Sequence, residues 1–208
     1  MADPSPPLVF DTGFVPQTGQ LVEVLPGVSR LTAPNAGPYT FTGTNSFIIG
    51  QQSVAVLDPG PDDAGHREAL LRAIGGRKVD AILLTHTHKD HSAGARKLHA
   101  ATGAPLWFGG KHRLSRPLLP FERNPLAHDC DWGLEPDLTF FDGESFVVGG
   151  LNLVAIATPG HCANHLCYAI GGTDWLFSGD HVMGWNSTLV AVPDGSMADY
   201  LASLNKVI

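Results

Sequence analysis

The sequence predicts one α+β domain in which two groups of short strands are separated by helical segments. Three observations carry that expectation. Short apolar runs bounded by turn pairs such as Pro26-Gly27 and Gly149-Gly150 recur in both halves of the chain. Between them lie segments whose apolar residues fall at helical spacing. One apolar run, Ala81–Leu84, empties directly into Thr85-His86-Thr87-His88-Lys89-Asp90-His91. At 208 residues the chain is long enough to bury one sizeable core.

Residues 1–20, rich in Pro, Gly and Thr, read as an extended, partly mobile arm, which leaves 21–208 as the domain. Leu21–Leu25 and Val28–Thr32 read as strands around Pro26-Gly27, and Ala33–Gly43 as a turn-rich loop. Asn45–Ile49 and Val54–Leu57 follow as a hairpin across Gly50. Apolar positions Ala69, Leu70, Ala73 and Ile74 make His66–Ile74 a helix, stopped by Gly75-Gly76. Ala81–Leu84 is the central strand, Ala93–Ala101 the next helix and Pro105–Phe108 another strand. Gly109–Asp137 is a long loop, either a substrate-binding insertion or a poorly packed excursion. Leu138–Phe141, Ser145–Val148, Leu151–Ala157, Leu166–Ile170 and Trp175–Phe177 form the second strand group. Met197–Ile208 closes the chain as a helix.

Hydrophobic residues at 43% and charged residues at 16% are those of a globular protein. No apolar run reaches the ~18–20 residues needed to cross a bilayer, and Met1-Ala-Asp-Pro-Ser-Pro-Pro lacks the basic start and apolar core of a signal peptide. A cytoplasmic location without membrane partners is the resulting expectation. The cysteines Cys130, Cys162 and Cys167 are too few and too irregular for a disulfide framework, and Cys162 reads as a small buried side chain. A formal charge of −7 argues against broad nucleic-acid binding.

The chemistry concentrates at His86, His88, Asp90 and His91. In extended backbone, positions two apart project to the same side, so His86 and His88 can grip one cation together. Where the chain turns toward the following helix, Asp90 and His91 can face a second.

These residues resemble the His-x-His-x-Asp-His signature of the metallo-β-lactamase superfamily. Thr158-Pro159-Gly160-His161, Phe177-Ser178-Gly179-Asp180, Gly43-Thr44-Asn45-Ser46 and Val56-Leu57-Asp58-Pro59-Gly60 extend the likeness. It runs from about Leu21 onward and is closest in style to the branch holding lactamase-β-like endoribonucleases and glyoxalase II-like enzymes. The resemblance implies a four-layer αββα sandwich with metals at one edge. It implies that His86, His88 and His161 hold a first cation, that Asp90 and His91 hold a second, and that Asp180 bridges them. A bridging hydroxide is then the nucleophile, oriented by Asp90 as the catalytic carboxylate. Asn45, Asp58 and His165 are candidates to support the ligands from behind. His66 and His99 read as solvated surface side chains, and His181 as pointing away from Asp180.

Three departures refine the expectation. Asp180 stands where several true zinc β-lactamases place Cys or Ser, which favours an ester, thioester, lactone or phosphodiester hydrolase. His88 stands where diiron relatives carry Glu. Relatives also carry one more histidine downstream, so the chain reads as truncated at its C-terminus, with a weakened second site. Zn2+, one or two per chain, is the expected cofactor, with Mn2+ or Fe2+ as substitutes. Small-molecule esters, thioesters and lactones, or single-stranded RNA, are the expected substrates. A single-iron sulfur dioxygenase and a non-catalytic binding domain are the alternatives.

Overall fold

The computed structural model describes residues 9–207; the first part of the N-terminal arm and the final Ile208 lie outside the described residues. Seven strands form the first sheet in the order of the chain: β1 (Leu21–Leu25), β2 (Val28–Thr32), β3 (Asn45–Ile49), β4 (Ser53–Leu57), β5 (Lys78–Leu83), β6 (Leu106–Phe108) and β7 (Leu138–Thr139). Hairpins make β1 to β4 antiparallel, helical crossovers make β4, β5 and β6 parallel, and the long loop after β6 brings β7 in parallel to it. β8 (Ser145–Val148), β9 (Leu151–Ala157), β10 (Leu166–Ile170) and β11 (Leu176–Phe177) form a second, antiparallel sheet in the order β11-β10-β9-β8.

β4 and β5 are apolar on both faces because both faces are covered. On the outer face, Val54, Val56, Ile82 and Leu84 pack with Leu70 and Ile74 of α1 (Ala64–Ile74) and with Leu98 of α3 (Ala95–Thr102). On the inner face, Ala55, Leu57, Ala81 and Leu83 meet Leu153, Ala155, Leu166 and Tyr168 of the second sheet. Buried Tyr168 donates its hydroxyl to Leu84 O at 2.9 Å, which satisfies the one polar atom it brings inside. α4 (Met197–Val207) lies on the second sheet's side, where Ser203 Oγ donates to Pro159 O and Lys206 to Ala157 O. The result is the expected αββα layering.

The expected helix Ala93–Ala101 is α3, starting after Gly94, and an unexpected short turn of helix, α2 (Lys89–Ser92), precedes it within the histidine cluster. Residues 9–20 form no regular element; Asp11 N donates to Gly184 O, and the Arg30 guanidinium donates to Pro16 O while lying over Phe14. His66 corrects the reading of a solvated side chain. It is 2% exposed, on the inward face of α1, with Nε2 2.8 Å from Ser46 Oγ. Only periodicity was read there, and the approach of Gly60 beneath the ring is a tertiary fact. Among the described residues, no helix is long and apolar enough to cross a membrane.

The two sheets touch at a point that tolerates no side chain. Gly50 has φ +108, and a Cβ there meets Gly149 Cα at 2.4 Å. Gly50→Ala therefore both strains the backbone and wedges the sheets apart, with an expected loss of about 2 kcal/mol or more in denaturant unfolding. Gln51→Ala, at an exposed neighbour, is expected to cost under about 0.5 kcal/mol.

Candidate metal centre

β5 delivers its C-terminal end, Thr85–His88, to the rim of the sandwich, and α2 turns Asp90 and His91 back over it. His161 comes from the loop after β9 and Asp180 from the loop after β11. All six expected ligands converge. His86, His88 and His161 can each offer an atom to one cation, and His86, His91 and Asp180 do the same beside it, with all offered atoms in a group within 4.8 Å. The Asp180 Oδ1 atom is 3.2 Å from His91 Nε2, and its Oδ2 is 3.7 Å from His161 Nε2. One carboxylate thus has an oxygen toward each half of the centre, which is the placement a bridge requires. Asp90 Oδ2 lies 3.4 Å from His91 Nε2 and accepts from Thr44 Oγ1 at 3.2 Å.

Each inward imidazole is held by its other nitrogen. Asp58 accepts from Thr85 N at 2.8 Å, from Thr85 Oγ1 at 2.8 Å and from His91 Nδ1 at 2.9 Å. With its proton given to Asp58, the Thr85 hydroxyl accepts from His86 Nδ1 at 3.0 Å. His161 Nδ1 donates to Leu189 O at 2.7 Å. His88 is reversed, with Nε2 2.8 Å from Asp194 Oδ2 and Nδ1 2.8 Å from His161 Nε2. These bonds turn four ring nitrogens toward one small volume, with His91 Nε2 against Asp180 and Asp90. His86 Nε2 is fully buried with no hydrogen-bond partner, an arrangement that is costly unless something fills it. Three imidazoles with locked outer nitrogens, beside a second group of carboxylates and one imidazole, fit a divalent cation pair well.

The charges point the same way. Burial holds the pKa of His86 well below the ordinary 6.5, and neighbouring His91, His88 and His161 lower it further. His161 falls to about 4 through burial and the nearby His88. Burial alone would lower His91, but Asp90, Asp180 and Asp58 outweigh it and raise its pKa well above the ordinary value. The protein's own side chains therefore set imidazoles that resist protonation, His86 and His161, on one side and carboxylates crowding His91 on the other. A cation answers both.

Of the three supporting candidates, Asp58 orients His91 directly and His86 through Thr85. His165 accepts from Asp180 N at 3.2 Å, while its Nδ1 lies 2.8 Å from Thr158 Oγ1. Asn45 touches no ligand imidazole; it accepts from Thr32 Oγ1 at 2.7 Å at the end of β3. Asp194, His112, Thr87 and Asn164 also gather behind the site, and the sequence reading assigned them no role there. Pro193-Asp194-Gly195 has the composition of an ordinary turn, and His112 lies within the long loop, so neither carries a local signal. That loop is no loose excursion: Lys89 N donates to Asp129 O and Asp131 N to Thr87 O, while Arg96 grips Asp131 with two bonds. His181 is buried away from the centre against Tyr200. Cys162 is buried, with its thiol pKa pushed well up, chiefly by burial.

The fold and the paired His/Asp centre together define a metallohydrolase-like sandwich. The description "Metallo-beta-lactamase superfamily" matches residues 39–208, and the chain belongs to that superfamily. "Lactamase-like protein adaB" of Aspergillus niger is 27% identical over 199 residues, covering 93% of this chain and 55% of that protein. "Atrochrysone carboxyl ACP thioesterase MYCFIDRAFT_190111" of Pseudocercospora fijiensis is 27% identical, over 91% of this chain and 51% of that one. The crystal structure of a "Beta-lactamase domain protein" from Burkholderia ambifaria superposes with a TM-score of 0.73 at 23% identity, covering 95% of this chain and 70% of that one. The chain spans about half the length of the curated relatives it matches.

Two outcomes are expected. Asp180→Ala removes an oxygen from both halves, so metal titration of the folded variant should show weaker uptake at both positions; unchanged binding of two cations would mean Asp180 is no bridge. The metal-free protein should also lose stability as pH falls from about 6.5 toward about 4. His86, His161 and His165 have lowered pKa values, so the unfolded chain takes up these protons first. His91, raised, is protonated in both states below about 6.5 and adds no slope in this window. Thermal melts at pH 6.5 and pH 4.5 should therefore differ, and equal melting temperatures would refute the linkage.

Proposed function

We propose that this chain is a divalent-metal-dependent hydrolase, with zinc as its cation, that cleaves an ester or thioester carrying an apolar acyl group. The observation that carries this reading is the cleft in front of the centre. About 460 Å3 in volume, it runs from His88, Asp90, His161 and Asp180 between Pro38, Tyr39, Leu126, Met183, Trp185 and Leu189. Its walls suit an acyl chain. Its charged residues besides the centre are Asp129 and Lys89, and the Lys89 ammonium is already given to His128 O. A polyanionic backbone meets carboxylates here rather than a basic groove, which disfavours RNA as substrate. The thioesterase name carried by one relative agrees with this choice.

Bound cations supply Lewis acidity and a nucleophilic water near neutral pH. The protein's own share is positional. His86, His88, His91 and His161 present lone pairs fixed by their outer bonds, and Asp180 spans the two halves. Asp90, held by Thr44, faces the cleft and is placed to take a proton as the scissile bond is attacked. The apolar walls exclude water from the acyl side and orient the carbonyl toward the centre.

Zinc-loaded protein should turn over medium-chain acyl thioesters and leave single-stranded RNA intact. Leu126→Glu should raise KM for those thioesters roughly tenfold, as a charge in an apolar wall costs about 1–3 kcal/mol, with kcat little changed. Cleavage of RNA without thioester turnover would overturn the substrate class. Thiol-dependent oxygen uptake by protein holding one iron would overturn hydrolysis altogether.

A further inference from the structure

The ligand His88 sits at the end of a buried chain of hydrogen bonds whose direction can be worked out from its far end. Asn164 Nδ2 is 2.9 Å from Gly110 O, a carbonyl that can only accept. The same amide nitrogen is 2.8 Å from Thr87 Oγ1, so the Thr87 hydroxyl also accepts and has its own proton free. That proton goes to His112 Nδ1, 2.9 Å away. Nδ1 is thereby an acceptor, and the ring proton of His112 sits on Nε2, which donates to Asp194 Oδ1 at 2.7 Å. The other oxygen, Oδ2, takes the proton of His88 Nε2 at 2.8 Å. His88 Nδ1 is left bare, facing His161 Nε2 at 2.8 Å.

Every member is enclosed. Thr87, His112, Asn164 and Asp194 are all at most 6% exposed. Trp132 stands edge-on to the His112 ring at 4.4 Å between centroids and shields it. Two imidazole N–H groups converge on one carboxylate, one oxygen each, so a group that both accepts and donates cannot replace it without reversing a ring.

We propose that Asp194, supported by His112, Thr87 and Asn164, is a positioning residue that locks His88 in the tautomer presenting Nδ1 to the first cation. The relay reaches back to the main chain at Gly110, so His88 is set by the long loop, the loop after β9 and the stretch after β11 that carries Asp194. This rests on the reading of His86, His88 and His161 as a cation site. It assigns work to four residues that touch no substrate. Asp194→Asn keeps the size of the side chain but offers one acceptor and one donor, which reverses either His88 or His112. Thr87→Val removes the proton given to His112 Nδ1, whereas Thr87→Ser keeps it.

The test has two arms. In metal-free protein, long-range 1H–15N spectra of the histidine rings should show His88 and His112 as Nε2–H tautomers. Asp194→Asn should convert at least one of them to Nδ1–H, and Thr87→Val should loosen His112 while Thr87→Ser does not. In competition with a chromophoric chelator, Asp194→Asn should weaken uptake of the first Zn2+ roughly 10- to 100-fold, with Thr87→Ser near the parent. Should Asp194→Asn fail to fold, the Thr87 pair carries both arms. Unaltered tautomers and Zn2+ affinity in the variants, with the parent binding normally, would overturn the positioning role alone. A parent chain that takes up no Zn2+ would overturn the cation site itself. Cys130 Sγ lies 4.0 Å from Asp194 Oδ1, within reach of a cation held with His88 and Asp194, so uptake of an extra cation abolished by Cys130→Ala would make Asp194 a ligand and also overturn the relay.

Discussion

The carboxylate of Asp58 is the constraint on which the centre depends. It sits at the end of β4 and accepts the backbone N–H and the hydroxyl of Thr85 at the end of β5, so it ties two parallel strand ends together. Its remaining capacity goes to His91 Nδ1. Hydrogen bonds to a charged group contribute about 1.5–3 kcal/mol each, more than neutral ones. Three of them on one buried carboxylate fix the chain's exit from β5, the ring of His86 through Thr85, and the ring of His91. Asp58 adopts φ +50 to do this, a local cost that the surrounding bonds offset.

Around that tie the protein holds an arrangement that is unfavourable without a cation. Four imidazoles crowd within ring-centroid distances of 4.3 to 5.0 Å of His86 or each other, and burial disfavours the charged forms of His86 and His161. Asp90 and Asp180 press on His91 from the other side. Neither group of charges is balanced by protein alone. A rigid sandwich can maintain such a site because its two cores, on either face of the first sheet, supply stability elsewhere.

The loop after β6 joins the candidate centre to the wall of the cleft. Asp129 and Asp131 pair with the backbone of Lys89 and Thr87, and a lone β-bridge joins His88 to Cys130. The segment that supplies Leu126 to the cleft is therefore held by the same residues that carry the ligands. Cleft shape and ligand geometry are mechanically one unit.

Much of this was legible in the chain itself. Short apolar runs and turn pairs located the strands to within about three residues, the central strand beginning at Lys78 rather than Ala81, since local sterics and burial on two faces leave few alternatives for such segments. The spacing His86-x-His88-x-Asp90-His91 announced a cation site because ligand type and side-chain direction are both local properties. His161 and Asp180 came from motif likeness at two further strand ends. What only the tertiary structure decided is which outer nitrogen of each ring is occupied, and by what. Asp194 lies 106 residues from His88 in the chain and meets it through a hydrogen bond that no local pattern encodes. The same holds for His66 beneath Gly60 and for Asn45, whose partner is Thr32 rather than a ligand. Ligand identity follows from short-range chemistry, whereas ligand orientation depends on contacts between distant loops that exist only once both sheets have closed.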